Sequence, residues 1–365
     1  MEKTPIAKPS RNYGIDFLRI VSMLMVVALH ISGTGGMTLT EMSFTNASIV
    51  WLSRAMTYCA VNCYALISGY IGITTKQKLS SLMGLWVRVA FYSFLITVIF
   101  FFARPDIVGR GDLFKSIFPV CSGKYWYFTA YFGMWFFTPI INSAVNNIPK
   151  KKMMLIIIGS AVILTPPNLL SNAFKLESGY ASAWLLFLYM VGAFIKKYDI
   201  FKNISPLKPI IAYSISVLIT FLLKITVSID GWNFYGDMML NYTSPTIFIS
   251  AVSLLVIFSN IKISAKLKKF IAFFAPLSFS VYLIHTHPLV FNNIFDGAFA
   301  FLAQKSPLIM VLGMIVATIA IYIGCSLIDY IRELTFRLFK VKKIISFAET
   351  KLLAFADKFI SKLNF

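Results

Sequence analysis

The chain has 365 residues, 58% of them hydrophobic and 13% charged, with a mean hydropathy of +0.77. A soluble domain carries about 25% charged residues, so a soluble fold is excluded, and the continuous, non-alternating apolar runs exclude a β-barrel. The formal charge of +20 resides in short Lys/Arg clusters between apolar runs, the placement of topology determinants and not of a nucleic-acid surface.

The runs predict an all-α polytopic membrane protein of about ten transmembrane helices, multi-pass in the cell (plasma) membrane. They lie near 17–36, 47–73, 82–103, 125–145, 153–171, 182–195, 209–229, 243–260, 270–291 and 307–330. An even count puts both termini on one side. The six segments assigned to the cytoplasm hold 25 of the 34 Lys and Arg residues, so both termini are expected to be cytoplasmic. The first helix lacks a small-residue cleavage site and is expected to be retained.

In the first span, RNYGIDFLRIVSMLMVVALHISGTGG (11–36), Asp16, Arg19 and His30 interrupt apolar sequence. Eleven positions turn a helix about 1100°, roughly 20° past three turns, so Arg19 and His30 share a stripe about 16 Å apart. Asp16, three residues before Arg19, can pair with its guanidinium. A bilayer tolerates such groups where they face a protein interior or a wet cavity.

The second span carries Arg54 at about the depth of His30, then Asn62 and the Ser68-Gly69-Tyr70 step, where Gly69 suits close helix packing. Cys59 and Cys63, four apart, suit packing better than a disulfide. Arg88 stands about two turns into the third span, where snorkelling to the interface is the simple reading. Residues 104–124 read as an outer loop whose Arg110-Gly111-Asp112 is too short to be an adhesion signal.

The fourth span opens on Lys124-Tyr125-Trp126-Tyr127, an aromatic belt in its plain reading. LTPPNLL (164–170) is expected to break a helix. The loop 230–245, with Asp230, Asp237 and several aromatics, reads most simply as a solvated loop, with a sugar-binding surface as the functional alternative. In the ninth span Tyr282-Leu283-Ile284-His285 precedes His287-Pro288, and Pro288 should bend or end the helix. His285 is expected to face the cavity, with His287 secondary. Residues 332–365 mix lysines with Phe and Leu at helical spacing, an amphipathic helix on the inner membrane surface. The division is therefore a membrane-embedded domain, 1–331, and a cytoplasmic amphipathic tail, 332–365.

Four of these features together resemble the acyltransferase 3 family of integral membrane acyltransferases, which O-acylate bacterial surface carbohydrates. They are Asp16-x-x-Arg19 with Arg19-x10-His30, Ser68-Gly69-Tyr70, Trp126-Tyr127 with the later Pro139, and Tyr282-Leu283-Ile284-His285. The sequence departs from the family where Leu85 replaces the first arginine of an Arg-x-x-Arg pair ending at Arg88, and where Lys124 replaces a histidine. Many relatives append a soluble extracytoplasmic domain. No room for one is expected after residue 331, so the chain would act alone or hand over to a separate protein.

The resemblance implies transfer of an acetyl or other acyl group from cytosolic acetyl-CoA to a hydroxyl of an extracytoplasmic carbohydrate or glycolipid. Asp16, Arg19 and Arg88 would hold the donor, since guanidinium groups match phosphate oxygens. His30, as general base or covalent carrier, would act with Arg54 and His285, either of which can steady an oxyanion. Lys124, Trp126 and Tyr127 would bind the acceptor. No metal-ligand spacing is present. Two other classes fit a buried polar cavity alone: a transporter or flippase for a lipid-linked saccharide, and a non-enzymatic scaffold.

Overall fold

The computed structural model describes residues 11–166, 171–172, 174–229 and 238–362. Among them every regular element is a helix. A helix or helix pair occupies each of the ten expected stretches. Among the described residues four helices are long and apolar enough to cross a membrane by length and composition, or five if one bent pair is a single span.

Helix α1 (Tyr13–Ser32) is the hub. Of its apolar window 67% is inside the protein, against 22–33% for the other three long apolar helices. It packs against six helices: α2 (Phe44–Thr57), α3 (Ala60–Gly72), α10 (Pro245–Asn260), α11 (Ala265–Phe274), α12 (Ser278–His285) and α13 (Pro307–Leu338). Its start is fixed twice. The Asn12 side chain accepts from the Gly14 and Ile15 amides at 2.9 and 3.2 Å, capping the first turn, and donates to the Ser259 carbonyl at 3.1 Å.

Between these lie α4 (Leu79–Ala103), α5 (Arg110–Ile117), α6 (Trp126–Asn147), α7 (Lys150–Leu164), α8 (Ser182–Tyr198) and α9 (Leu207–Ile229). α5 is a departure from the expected loop. Asp112 of the Arg-Gly-Asp triplet accepts the Gly109 amide at 3.0 Å and so caps this short helix. α7 ends at Leu164, where a break was expected, though residues 167–170 lie outside the described residues, as do Asp230 and Asp237.

Gly69 is a packing glycine, and α8 supplies its counterpart. A Cβ on Gly69 would land on the Tyr189 carbonyl oxygen, and one on Gly192 on that of Leu66, so the α3–α8 crossing depends on both. Gly69→Ala is expected to cost about 1–3 kcal/mol by overpacking. Thermal inactivation of the detergent-solubilised variant measures this, and a wild-type profile would refute it.

Two expected spans are broken. The stretch 47–73 splits at Tyr58 and Cys59 into α2 and α3. The stretch 270–291 bends by 40° between α11 and α12, at Pro276, which has no amide to give and clashes with the preceding turn. α12 then ends at His285, and Pro288 opens the next turn, as its ring requires.

At 32 residues α13 is about 48 Å long, beyond a hydrocarbon core of about 30 Å. It runs through the expected boundary at residue 331 and stops at Leu338, where Lys340 adopts a left-handed φ of 52°. The terminal helix α14 (Val341–Lys362) docks on α4, with Ile345 buried and Glu349 accepting the Ser80 amide at 2.8 Å. It leaves Ile344, Phe347, Phe355 and Phe359 exposed along one stripe, an amphipathic face.

Candidate active site

The last turn of α1 and the end of α12 meet although 255 residues separate them. The loop after α1 makes the junction: the Gly297 amide donates to the Thr34 carbonyl at 3.0 Å and the Phe299 amide to that of Gly35 at 2.8 Å. Gly36 permits the turn, with φ of 95°.

This places His30 Nδ1 2.9 Å from His285 Nε2, and His285 Nδ1 2.6 Å from the Val281 carbonyl oxygen. The acceptors dictate the protons. A carbonyl oxygen only accepts, so the neutral His285 carries its proton on Nδ1 and its Nε2 is a lone pair. His30 must then donate from Nδ1, which leaves its Nε2 unprotonated. Phe291 and Phe295 flank the pair, at 5.1 Å from His30 and 6.0 Å from His285.

His30 lines a cavity of about 180 Å³ with Arg54, Trp126, Tyr127 and a further set of tyrosines. Arg54 belongs here, as its depth predicted. Its guanidinium donates to the Leu29 carbonyl at 3.2 Å and to the Ser32 hydroxyl at 3.0 Å, so it is tied to the turn that carries His30. Gly33 makes the room: a Cβ there would stand 3.0 Å from the same guanidinium nitrogen.

His285 is 2% exposed and stands behind His30, not on the cavity wall where it was expected. Its Nε2 is engaged by His30, so it orients that ring and is not placed to meet an oxyanion. His287 is fully buried elsewhere, capping the turn that begins at Pro288. Lys124 is also displaced from the expected acceptor site. It turns to the Thr97 hydroxyl at 3.1 Å and does not line the cavity. Partial burial pushes its ammonium pKa down, partly opposed by Asp112.

Trp126 and Tyr127 do line the cavity, and the structure adds residues the sequence reading passed over. Tyr180 lies 4.2 Å from the Trp126 ring and Tyr242 stacks at 6.0 Å. Tyr242 came from the aromatic loop considered for sugar binding. Its signal was composition alone. Asn62, deeply buried, holds it: the side chain donates to the Tyr242 carbonyl at 2.8 Å and accepts from the Trp184 indole at 3.0 Å.

At the other end of α1, Asp16 pairs with Arg19 at 2.7 Å, as the spacing predicted, and also with Arg11 at 2.6 Å. Arg11, Arg19, Lys196, Lys262 and Lys268 line a wide cavity of about 1250 Å³ around this carboxylate. Tyr64 stands between the two cavities: it lines the His30 cavity, and its hydroxyl donates to the Arg19 carbonyl at 2.7 Å. Arg88 joins neither. It lines a third cavity with Arg332 and Glu333, so the expected pairing of Arg19 and Arg88 on one donor is not formed by the cavity walls.

Chemically, the site offers an unprotonated imidazole nitrogen beside a cation in an aromatic pocket, and a separate cationic basin on the same helix. Comparisons with curated proteins and with solved structures find no match. A family model described as an acyltransferase domain does match, over residues 12–326. With its long apolar helices, this membrane protein therefore belongs to the acyltransferase 3 family.

Proposed function

We propose that the protein moves an acetyl group from acetyl-CoA, bound from the cytoplasm, to a hydroxyl of an extracytoplasmic carbohydrate or glycolipid. The topology in this reading has ten crossings in the cell membrane and both ends inside. The observation that carries it is the His30–His285–Val281 chain, which leaves a basic nitrogen in the aromatic cavity.

Donor phosphates belong in the wide cavity around Arg19, which Asp16 fixes and to which Arg11 adds a second guanidinium. The acceptor belongs in the His30 cavity, its ring against Trp126, Tyr180 and Tyr242. His30 Nε2 takes the proton of the acceptor hydroxyl as its oxygen attacks the thioester carbonyl. Negative charge gathers on the carbonyl oxygen, where the Arg54 cation stabilises it. The carbon–sulfur bond then breaks, and the proton on His30 passes to the departing thiolate, giving the ester and free CoA.

The test uses purified protein in lipid, acetyl-CoA labelled in the acetyl group, and the host's surface glycan. Wild type is expected to transfer label and to release CoA in equal amount. Arg19→Ala is expected to raise the KM for acetyl-CoA at least about tenfold, the loss of one charge-assisted contact. A wild type that moved a lipid-linked saccharide across the bilayer without consuming thioester would overturn the reading in favour of a transporter.

A further inference from the structure

The third cavity, about 600 Å³, opens where the start of α4, the end of α13 and the first turn of α14 meet. Six cations line it: Arg88, Arg332, Arg337, Lys340, Lys342 and Lys343. Glu333 is the one carboxylate on its wall among the described residues.

The ion pairs divide these cations. Arg332 is neutralised by Asp329, at 2.8 and 3.0 Å, and by Glu333 at 3.0 Å. Arg337 and Lys342 share Glu333 at 3.2 and 3.6 Å. Arg88, Lys340 and Lys343 form no ion pair among the described residues. Arg88 donates to the Pro276 carbonyl at 3.3 Å, and its buried Nε has no partner among the described residues. The first turn of α14, whose amides favour an anion, opens on the same space.

The rim gives the ligand's other half. Leu338 and Phe339 are 77% and 67% exposed beside Lys340, and Ile344 and Phe347 continue the apolar surface along α14. In a membrane protein such residues suit acyl chains, so the cationic cavity and its apolar rim together match the two halves of a lipid. A soluble phosphate has no use for that rim. Phe273 of α11 packs on Tyr330 at 5.3 Å while Lys268 of the same helix lies over Tyr13, so this cavity and the Arg19 cavity open at the same end of the bundle.

We propose that this cavity binds the phosphate headgroup of an anionic phospholipid, separately from the transfer reaction, with the acyl chains lying along Leu338, Phe339 and Phe347. It joins α14 to the membrane and to the bundle at one point.

Native mass spectrometry of the delipidated full-length protein tests this, titrating phosphatidylglycerol against phosphatidylcholine. Wild type is expected to retain one phosphatidylglycerol at least about tenfold more tightly than phosphatidylcholine. Lys340→Gln/Lys343→Gln, on the exposed rim where folding is not at stake, should lose about tenfold of that preference. Arg88→Gln should lose it as well. Equal retention of the two lipids, or a preference unchanged in the rim variant, would overturn the assignment. Inorganic phosphate and adenosine 3′,5′-bisphosphate form the second arm. If either binds here, lost in the same variants, while the lipid does not, the cavity takes a soluble phosphate and the lipid assignment falls.

Discussion

Replacing His30 by alanine is expected to lower acyl transfer by about 10²–10⁴-fold, the usual contribution of a positioned general base. The loss should fall on kcat, because the Arg19 cavity that would bind the donor is a separate space. His285→Ala separates base from positioner. It removes the acceptor of the His30 Nδ1 proton, so the His30 ring is free to turn and to take either tautomer. A smaller fall in kcat with little change in KM is expected, and His285→Gln, which retains an acceptor, should recover part of it. The wild-type and His285→Ala rates should both fall as pH is lowered, since only the neutral His30 imidazole is a base. Steady-state kinetics with labelled acetyl-CoA measure all of this. A His30→Ala variant with wild-type kcat would remove the mechanism altogether.

The second large effect is on stability, at a pair that lines neither the His30 cavity nor the Arg19 cavity. Asp329 and Arg332 are 0% and 4% exposed, joined by two hydrogen bonds of 2.8 and 3.0 Å, and the Tyr92 hydroxyl donates to the same carboxylate at 2.8 Å. Asp329→Ala leaves a buried guanidinium with Glu333 alone and orphans the Tyr92 hydroxyl. The expected cost is about 3–5 kcal/mol, read as early loss of the monodisperse protein on heating in detergent. Replacing both partners, Asp329→Leu with Arg332→Met, should recover the part of that loss due to the unpaired Arg332 guanidinium, while the Tyr92 hydroxyl still lacks its acceptor. A double variant as unstable as the single one would show that the pair has a role beyond charge compensation.

Several of the site's features were readable along the chain. Asp16, Arg19 and His30 were placed on one stripe by helical period, and the Asp16–Arg19 pair formed as spacing required. Arg54 was matched to His30 by depth, and both line one cavity. Depth says nothing about direction around the bundle, however. Arg88 is two turns into its helix as expected, yet it faces Arg332 and Glu333 and not Arg19, because α4 packs against α14 and α12. Lys124 adjoins Trp126 closely in sequence, but the chain turns at Tyr125 and sends it to Thr97. Tyr127 and Tyr282 stood in quoted motifs, but Tyr180 and Tyr242 come from segments with no spacing pattern to announce them.

Local chemistry in the sequence was enough to determine that this is a helical membrane protein, where most helices lie, that α1 carries buried polar groups, and that Pro288 ends a helix. These follow from period, burial cost and proline's missing amide, all short-range properties. Only the tertiary structure decided that His285 stands behind His30, that Asn62 holds Tyr242 in the wall, and that the cationic residues divide between two basins. Each depends on groups tens to hundreds of residues apart meeting within about 3 Å, a distance set by how the helices pack and not by any residue's neighbours in the chain.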